Sequence, residues 1–280
     1  MTANSLSKKR LTLYLGIYSA LMLAIYCAVY LFEPFNAVVN LLFLNGLTVL
    51  AALVCALLAL RIVLFYEPGE SPRQVWVPFA LAFWMWTVAE LAWAAYNVLW
   101  GEVPSFSFAD ILWVGSYLFF AVAFSRQFHL LQFKRHQPPT WTAIIVWLFV
   151  LGLSFSITFW AGVSLEAVAL YFYPIADFAV GSAALLLVFF FRHGLLARPW
   201  LGLFGFVVAD SLYAWATTSG AYEWITHTGW ITLLVDAIYL LAYLFVCWGI
   251  FSQYLALRFG AIDIPHSPRQ AIPEPPKSMF

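Results

Sequence analysis

The chain has 280 residues, of which 64% are hydrophobic and 9% charged, with 13 basic and 13 acidic side chains and a formal net charge of zero. A water-soluble fold of this composition would leave a large apolar surface in contact with solvent, which excludes an ordinary soluble domain. The balanced charge also gives no basis for a nucleic-acid partner.

Apolar segments long enough to cross a bilayer recur along the whole sequence, and eight spans of about 20 residues each account for most of it. The first is too long for the apolar part of a signal peptide, so it is predicted to be a retained helix. We therefore predict an all-α, polytopic membrane helical bundle with eight transmembrane helices. The predicted spans are 11–31, 37–61, 76–99, 108–130, 141–161, 167–191, 199–218 and 230–256.

The basic residues all fall in segments that this topology places on one side of the membrane. The connections on the other side carry no cation, and each holds one glutamate: Glu33, Glu102, Glu166 and Glu223. Because cationic loops resist translocation, both termini are predicted to be cytoplasmic. The basic residues are Lys8, Lys9, Arg10, Arg61, Arg73, Arg126, Lys134, Arg135, Arg192, Arg198, Arg258, Arg269 and Lys277.

The third and fourth spans share a pattern with the seventh and eighth. In each span an acid is followed by an aromatic residue three positions later and by a polar residue seven positions later. Four helices repeated twice in the same orientation is the simplest description, and parallel repeats often place a site between the halves. The matching sets are Glu90, Trp93 and Asn97; Asp110, Trp113 and Tyr117; Asp210, Tyr213 and Thr217; and Asp236, Tyr239 and Tyr243.

The repeat divides the chain into five predicted segments. Two four-helix repeats are joined by a cytoplasmic linker, after a short cytoplasmic N-terminus and before a proline-rich tail that is predicted to be disordered. The predicted segments are 1–10 for the N-terminus, 11–130 for the first repeat, 131–140 for the linker, 141–257 for the second repeat and 258–280 for the tail.

Five acidic residues lie inside predicted spans. A charged carboxylate at mid-helix costs roughly 2.5–3.5 kcal/mol, and no Lys or Arg lies at a similar depth. Residues three, four and seven apart share a helix face, so the acids and their polar neighbours form stripes that should converge on an aromatic-rimmed pocket open to the outer side. The predicted ligand-binding residues are Glu90, Asp110, Asp177, Asp210, Asp236, Tyr117, Tyr173, Tyr213, Tyr239, Tyr243, Trp93 and Asn97.

Three uses of such a pocket follow from its chemistry: binding a cationic or hydrogen-bonding ligand, cycling protons, or acid–base chemistry on a lipid. The alternative is that these side chains only join helices, through hydrogen bonds worth about 0.6 kcal/mol each. The presence of an acid at Asp110 also has a local explanation, because Asp110 and Ser107, three residues earlier, form a capping-box pattern at a helix start.

Motifs for cofactor and metal chemistry are absent from the sequence. The predicted spans contain no Lys that could form a retinal Schiff base, and the histidines have no metal-ligand spacing. Cys27, Cys55 and Cys247 have no metal or redox spacing and are predicted to be small packing residues. No cofactor and no metal are predicted.

The stretch ELAWAAYNVLWGEVPSFSFADILWVGSYLFFAVAF, which begins at Glu90, resembles part of certain bacterial eight-helix sensory modules. The stretches YPIADFAVGSAALLL, RPWLGLFGFVVADSLYAWATTSGAY and VDAIYLLAYLF are similar to them too, so the likeness covers roughly residues 75–255. Such modules commonly precede diguanylate cyclases, cyclic-di-GMP phosphodiesterases and sensor histidine kinases. The residues that match their recurrent polar positions are Asp110, Asp177, Asp210, Asp236, Tyr117, Tyr173 and Tyr243.

The resemblance implies a signal-transduction module in the bacterial inner membrane, with lipid around it and a small molecule or proton as its ligand. Only the proline-rich tail follows the last predicted span, so we expect either a stand-alone module that signals through a partner protein or a truncated sensor. The phrase GFVVADSLYAW and the helix number also resemble the lysoplasmalogenase-like family, which implies acid–base hydrolysis of lysolipids. A proton-coupled transporter is the third possibility.

Overall fold

The protein is described by a computed structural model that covers residues 3–101, 104, 106–131, 165–191, 194–222 and 229–259. Within these ranges the chain is all-helical and contains no strand. Seven helices are long and apolar enough to cross a membrane, which makes this a multi-pass membrane protein. The helices are α1 (Ala3–Phe32), α2 (Ala37–Val63), α3 (Ser71–Trp100), α4 (Phe108–Leu130), α5 (Leu165–Phe190), α6 (Arg198–Thr218) and α7 (Trp230–Phe259).

These seven helices correspond to seven of the eight predicted spans. The remaining span, 141–161, lies outside the described residues, as do the predicted linker after residue 131 and the predicted tail after residue 259. The largest difference is in α1, which begins at Ala3 instead of near residue 11, so that residues 3–10 continue the helix. Its first turns contain Leu, Lys and Arg and no Gly or Pro, so nothing in the sequence interrupts the helix there.

Local capping explains where several helices begin and end. The side chain of Asn36 accepts a hydrogen bond from the backbone N–H of Val39 at the start of α2. At the start of α4, the backbone N–H of Ser107 donates to Oδ2 of Asp110 over 2.7 Å, as the capping-box pattern predicts. Gly101 ends α3 with a φ of 71°, in the left-handed region that glycine tolerates best.

Close helix packing depends on small residues, as is usual for membrane bundles. Helix α7 packs against α1, α2 and α6, and α3 packs against α2 and α4. A Cβ atom at Gly202 of α6 would lie 2.7 Å from the Cα of Val246 on α7, so only glycine allows this approach. On α2, Ala51, Ala52 and Cys55 are fully buried.

Side chains at the helix ends tie one end of the bundle together. The Nη1 atom of Arg198 at the start of α6 donates to Ser252 near the end of α7 over 3.0 Å. Arg126 in the last turns of α4 donates to Gln74 at the start of α3 over 3.0 Å. This end of the bundle, where α2, α4 and α7 finish and α3 and α6 begin, is called the cationic end below.

Candidate functional site

Helices α4 and α5 exchange a pair of crossed hydrogen bonds. The hydroxyl of Tyr117 on α4 donates to Oδ1 of Asp177 on α5. The hydroxyl of Tyr173 on α5 donates to Oδ1 of Asp110 on α4 over 2.8 Å. Asp110 and Tyr117 are two turns apart on one face of α4, and Tyr173 and Asp177 are one turn apart on α5, so each helix supplies one acid and one donor to the other.

Helices α3 and α7 are joined in the same way. The hydroxyl of Tyr243 donates to Oε1 of Glu90 over 2.7 Å, and both side chains are buried. Tyr239, one turn before Tyr243, also interacts with Glu90. Trp86, one turn before Glu90, packs edge-on against Tyr243 with ring centroids 6.1 Å apart. The acid is therefore enclosed by aromatic rings and held by phenol donors.

Asp236 on α7 accepts two hydrogen bonds. Tyr26 of α1 donates to Oδ2 over 3.1 Å, and Tyr222 of the connection between α6 and α7 donates to Oδ1 over 2.7 Å. Burial raises the pKa of Tyr222 well above its ordinary value, and the negative charge of Asp236 raises it further. The Tyr222 hydroxyl therefore keeps its proton and stays a donor to Asp236 at neutral pH.

Asp210 on α6 lies between the other acids and differs from them. Its carboxylate interacts electrostatically with Asp177 and Glu90. No hydrogen bond joins its side chain to another residue in the described ranges, whereas each of the other four acids accepts at least one tyrosine hydroxyl.

The orientation of α6 directs Asp210 inward. Phe206, one turn earlier, is 2% exposed, while Val208 and Trp215 on the opposite face are exposed. Asp210 nevertheless remains partly exposed, as do Tyr213 and Tyr239. A molecule the size of water therefore reaches part of Asp210, although most of the residue is enclosed.

The set of five acids and the tyrosines that contact them is called the acid–tyrosine network. Tyr213 belongs to it, because it interacts electrostatically with Asp236, Asp110 and Asp210. The members are Glu90, Asp110, Asp177, Asp210 and Asp236 with Tyr26, Tyr117, Tyr173, Tyr213, Tyr222, Tyr239 and Tyr243.

Ten of the twelve residues predicted from the sequence thus come together. The other two lie further along α3: the ring of Trp93 packs against Trp113 with centroids 5.5 Å apart, and Asn97 is buried but bonds to none of the acids within the described ranges. Sequence reasoning missed Tyr26 and Tyr222. The helical spacing of Tyr26 and Tyr30 on α1 was a signal for the first of these, but nothing in the sequence singled out the second.

No positive charge balances the network where the structure describes it. The surroundings of Glu90, Asp177, Asp210 and Asp236 contain tyrosines and other acids but no Lys or Arg. The described residues also contain no group of three or more His, Cys, Asp or Glu that could hold a metal ion. The chemistry available is therefore proton sharing between carboxyl and phenol groups, and attraction of a positively charged or hydrogen-donating ligand.

The structure also brings together two cysteines that the sequence had given no reason to pair. The sulfur atoms of Cys55 on α2 and Cys247 on α7 are 3.0 Å apart, and both residues are fully buried and free. The Cys55 thiol also donates to the backbone carbonyl of Tyr243 over 3.3 Å. The pair therefore lies beside the segment of α7 that carries the tyrosine bound to Glu90.

Comparisons of the whole chain with protein-family models, with curated proteins and with solved structures find no match.

Proposed function

We propose that this protein is a membrane sensory module of a signal-transduction type, which binds a ligand or a proton at the acid–tyrosine network. The observation that carries the proposal is the contrast between Asp210 and the other four acids. Those four accept hydrogen bonds from tyrosine hydroxyls, whereas Asp210 has no donor among the described residues and remains partly exposed. A partly buried carboxyl group with an unused acceptor is a place where a ligand gains binding energy.

The ligand of this proposal supplies positive charge or hydrogen-bond donors. The acids near Asp210 have no cationic partner, so an organic ammonium group or a proton relieves the repulsion among them. Aromatic rings around the acids favour a cation further, because ring faces attract positive charge. Tyr239 and Tyr213 are placed to contact such a group.

The proposed orientation puts the cationic end in the cytoplasm of a bacterial inner membrane, with both termini on that side. Asp110 lies in the first turn of α4, and Asp236 lies near the start of α7. Both helices begin at the end opposite the cationic end, so the network occupies the outer half of the bundle. A ligand would then enter from outside.

The network also offers a route for transmitting the signal. Its hydrogen bonds link α3 to α7 and α4 to α5, which belong to different halves of the proposed parallel repeat. A change in the charge of the network alters these bonds and shifts the packing of the two halves. The cytoplasmic ends of α4 and α7 move as a result and act on a partner protein.

Thermal unfolding of the purified protein in detergent tests this function. We expect a panel of organic ammonium ligands, or a change of pH, to shift the unfolding temperature of the wild-type protein. The shift should be lost when Asp210→Asn is combined with Asp236→Asn, and it should persist in Glu67→Gln, which removes an exposed acid in the connection between α2 and α3. Identical curves for wild type and the double variant across the panel and the pH range contradict a sensing pocket.

A hydrolase of lysolipids is the second candidate function. The observation in its favour is that two neighbouring carboxyl groups differ in state, since Asp177 is hydrogen-bonded and Asp210 is accessible to water. An acid–base pair needs such a difference. Turnover of an ether or ester lysolipid by the purified protein, lost in Asp177→Asn, is the expected result of this alternative, and no turnover across a lysolipid panel removes it.

A further inference from the structure

We propose that the cationic end of the bundle carries a binding site for an anionic phospholipid. In this site Arg61 and Arg258 bind the headgroup phosphate, and a groove along α2 receives part of an acyl chain. The site is separate from the acid–tyrosine network and does not depend on the sensory function.

The two arginines converge on one phenol group. The Nη1 atom of Arg258 on α7 donates to the hydroxyl of Tyr254 over 3.0 Å. Arg61 on α2 interacts electrostatically with the same hydroxyl. Both guanidinium groups are exposed, so most of their N–H donors remain available to a ligand.

No acid in the described part of the chain forms an ion pair with either arginine. The acids nearest to Arg61 in sequence are Glu67 and Glu70 in the connection after α2, and the acid nearest to Arg258, Asp263, lies outside the described residues. Glu70 turns toward its own loop, where its Oε2 atom accepts the backbone N–H of Glu67 over 2.7 Å. Two like charges held together without a counterion attract a phosphate, which accepts hydrogen bonds from several donors at once.

An apolar groove of about 410 Å³ leads away from Arg61. Its walls follow one side of α2 over the eight residues from Val54 to Arg61, and the helix rises by about 10 Å between these two residues. Part of it is formed by Leu57, which is 48% exposed. In a bilayer such a surface is covered by hydrocarbon, and an acyl chain in the groove places its headgroup beside the arginines. The lining residues are Val54, Leu57, Leu58, Leu60, Arg61 and Leu64.

Membrane topology and helix dipoles explain the position of each arginine when it is considered alone. Arg61 and Arg258 both lie in the last turn of their helices, where a cation compensates the helix dipole. Neither effect requires two arginines from different helices to meet at one hydroxyl, or one of them to line an apolar groove as Arg61 does. A basic pocket between helices at the cytoplasmic surface is typical of headgroup recognition.

Native mass spectrometry of the purified full-length chain tests the site by comparing phosphatidylglycerol with phosphatidylcholine of the same acyl chains. We expect wild-type protein to prefer phosphatidylglycerol by about tenfold, and Arg61→Gln with Arg258→Gln to lose most of this preference. The matched control is Arg10→Gln with Arg73→Gln, which removes the same charge from the same end but changes no residue of the groove. This control should keep the preference.

Two results overturn the proposal outright: an unchanged preference in the Arg61 and Arg258 variant, or an equal loss in the control, which would indicate general surface charge. Inorganic phosphate distinguishes the source of the ligand, because competition by free phosphate as strong as that by lipid contradicts the need for an acyl chain. If the glutamine variant does not fold, Arg61→Lys with Arg258→Lys keeps the charge but loses the planar fork. That variant must also show a weaker preference, and an unchanged one overturns the site.

Discussion

The hydroxyl of Tyr243 donates a hydrogen bond to Oε1 of Glu90 over 2.7 Å, and this contact joins α7 to α3 deep inside the bundle. The Tyr243 side chain has no exposed surface, and its ring also packs against Phe206 of α6 with centroids 4.6 Å apart. One side chain therefore connects three helices and supplies a donor to a buried acid. The strength of that connection can be measured directly.

Substituting Tyr243→Phe should destabilise the protein by about 1–3 kcal/mol, because Glu90 loses a donor while the packing of the ring is kept. Thermal unfolding in detergent measures the effect. Tyr14→Phe is the matched control, since Tyr14 is 61% exposed on α1 and its loss should leave the unfolding temperature unchanged. Equal stability of the two variants would mean that the Glu90 bond contributes nothing.

The crossed bonds between α4 and α5 should appear as energetic coupling. In a double-mutant cycle, Tyr117→Phe and Asp177→Asn are expected to be non-additive by about 0.5–3 kcal/mol, as for other residues in direct contact. The comparison cycle pairs Tyr117→Phe with Asp236→Asn, whose tyrosine donors are Tyr26 and Tyr222. Additive effects in the first cycle would show that Tyr117 and Asp177 do not act as a pair.

Replacing Asp210 should have the opposite effect on stability from replacing its neighbours. Asp210→Asn removes a carboxyl group that lies near two other acids and accepts no hydrogen bond from another described residue, so electrostatic repulsion falls and no described donor loses its acceptor. We expect this variant to unfold at the wild-type temperature or above it, and Glu90→Gln to unfold below it. A marked loss of stability in Asp210→Asn argues that the residue is a packing contact.

The two buried cysteines provide a test of how α2 packs against α7. Oxidation with copper phenanthroline should join Cys55 to Cys247 within one chain, because their sulfur atoms are already in contact. Mass spectrometry of the protein would detect the loss of two hydrogens and, after digestion, the linked peptides. The link should persist in Cys27→Ala and disappear in Cys247→Ala. A link from Cys27 to either cysteine is inconsistent with the packing described.

The helices follow closely from local sequence signals, and the contacts between them do not. Apolar runs predicted α2, α4 and α6 to within a few residues, and the Ser107 capping-box pattern marks the start of α4 within one turn. The start of α1 is the exception. Because Leu, Lys and Arg are all good helix formers, a cytoplasmic segment and a continued helix have the same local sequence.

The sequence predicted that the acids and tyrosines come together, but it did not predict which of them form hydrogen bonds with each other. Helical spacing placed the acids and their tyrosines on shared faces, and mid-membrane acids avoid lipid for a stated energetic reason. Which tyrosine binds which acid depends on the rotation and depth of each helix against its neighbour. Tyr117 therefore binds Asp177 from another helix and not Asp110 of its own. For the same reason, the sequence does not predict the contact between Cys55 and Cys247, which are 192 positions apart.

The central claim is that Asp210 is an accessible, titrating group within the acid–tyrosine network. Infrared difference spectroscopy of the protein in lipid, taken between about pH 5 and about pH 9, measures the protonation of carboxyl groups directly. We predict that the carboxylic-acid carbonyl bands that change over this range in the wild-type protein include one that is absent from Asp210→Asn and retained in Glu67→Gln. A spectrum that does not change with pH, or one that changes identically in Asp210→Asn, contradicts the account.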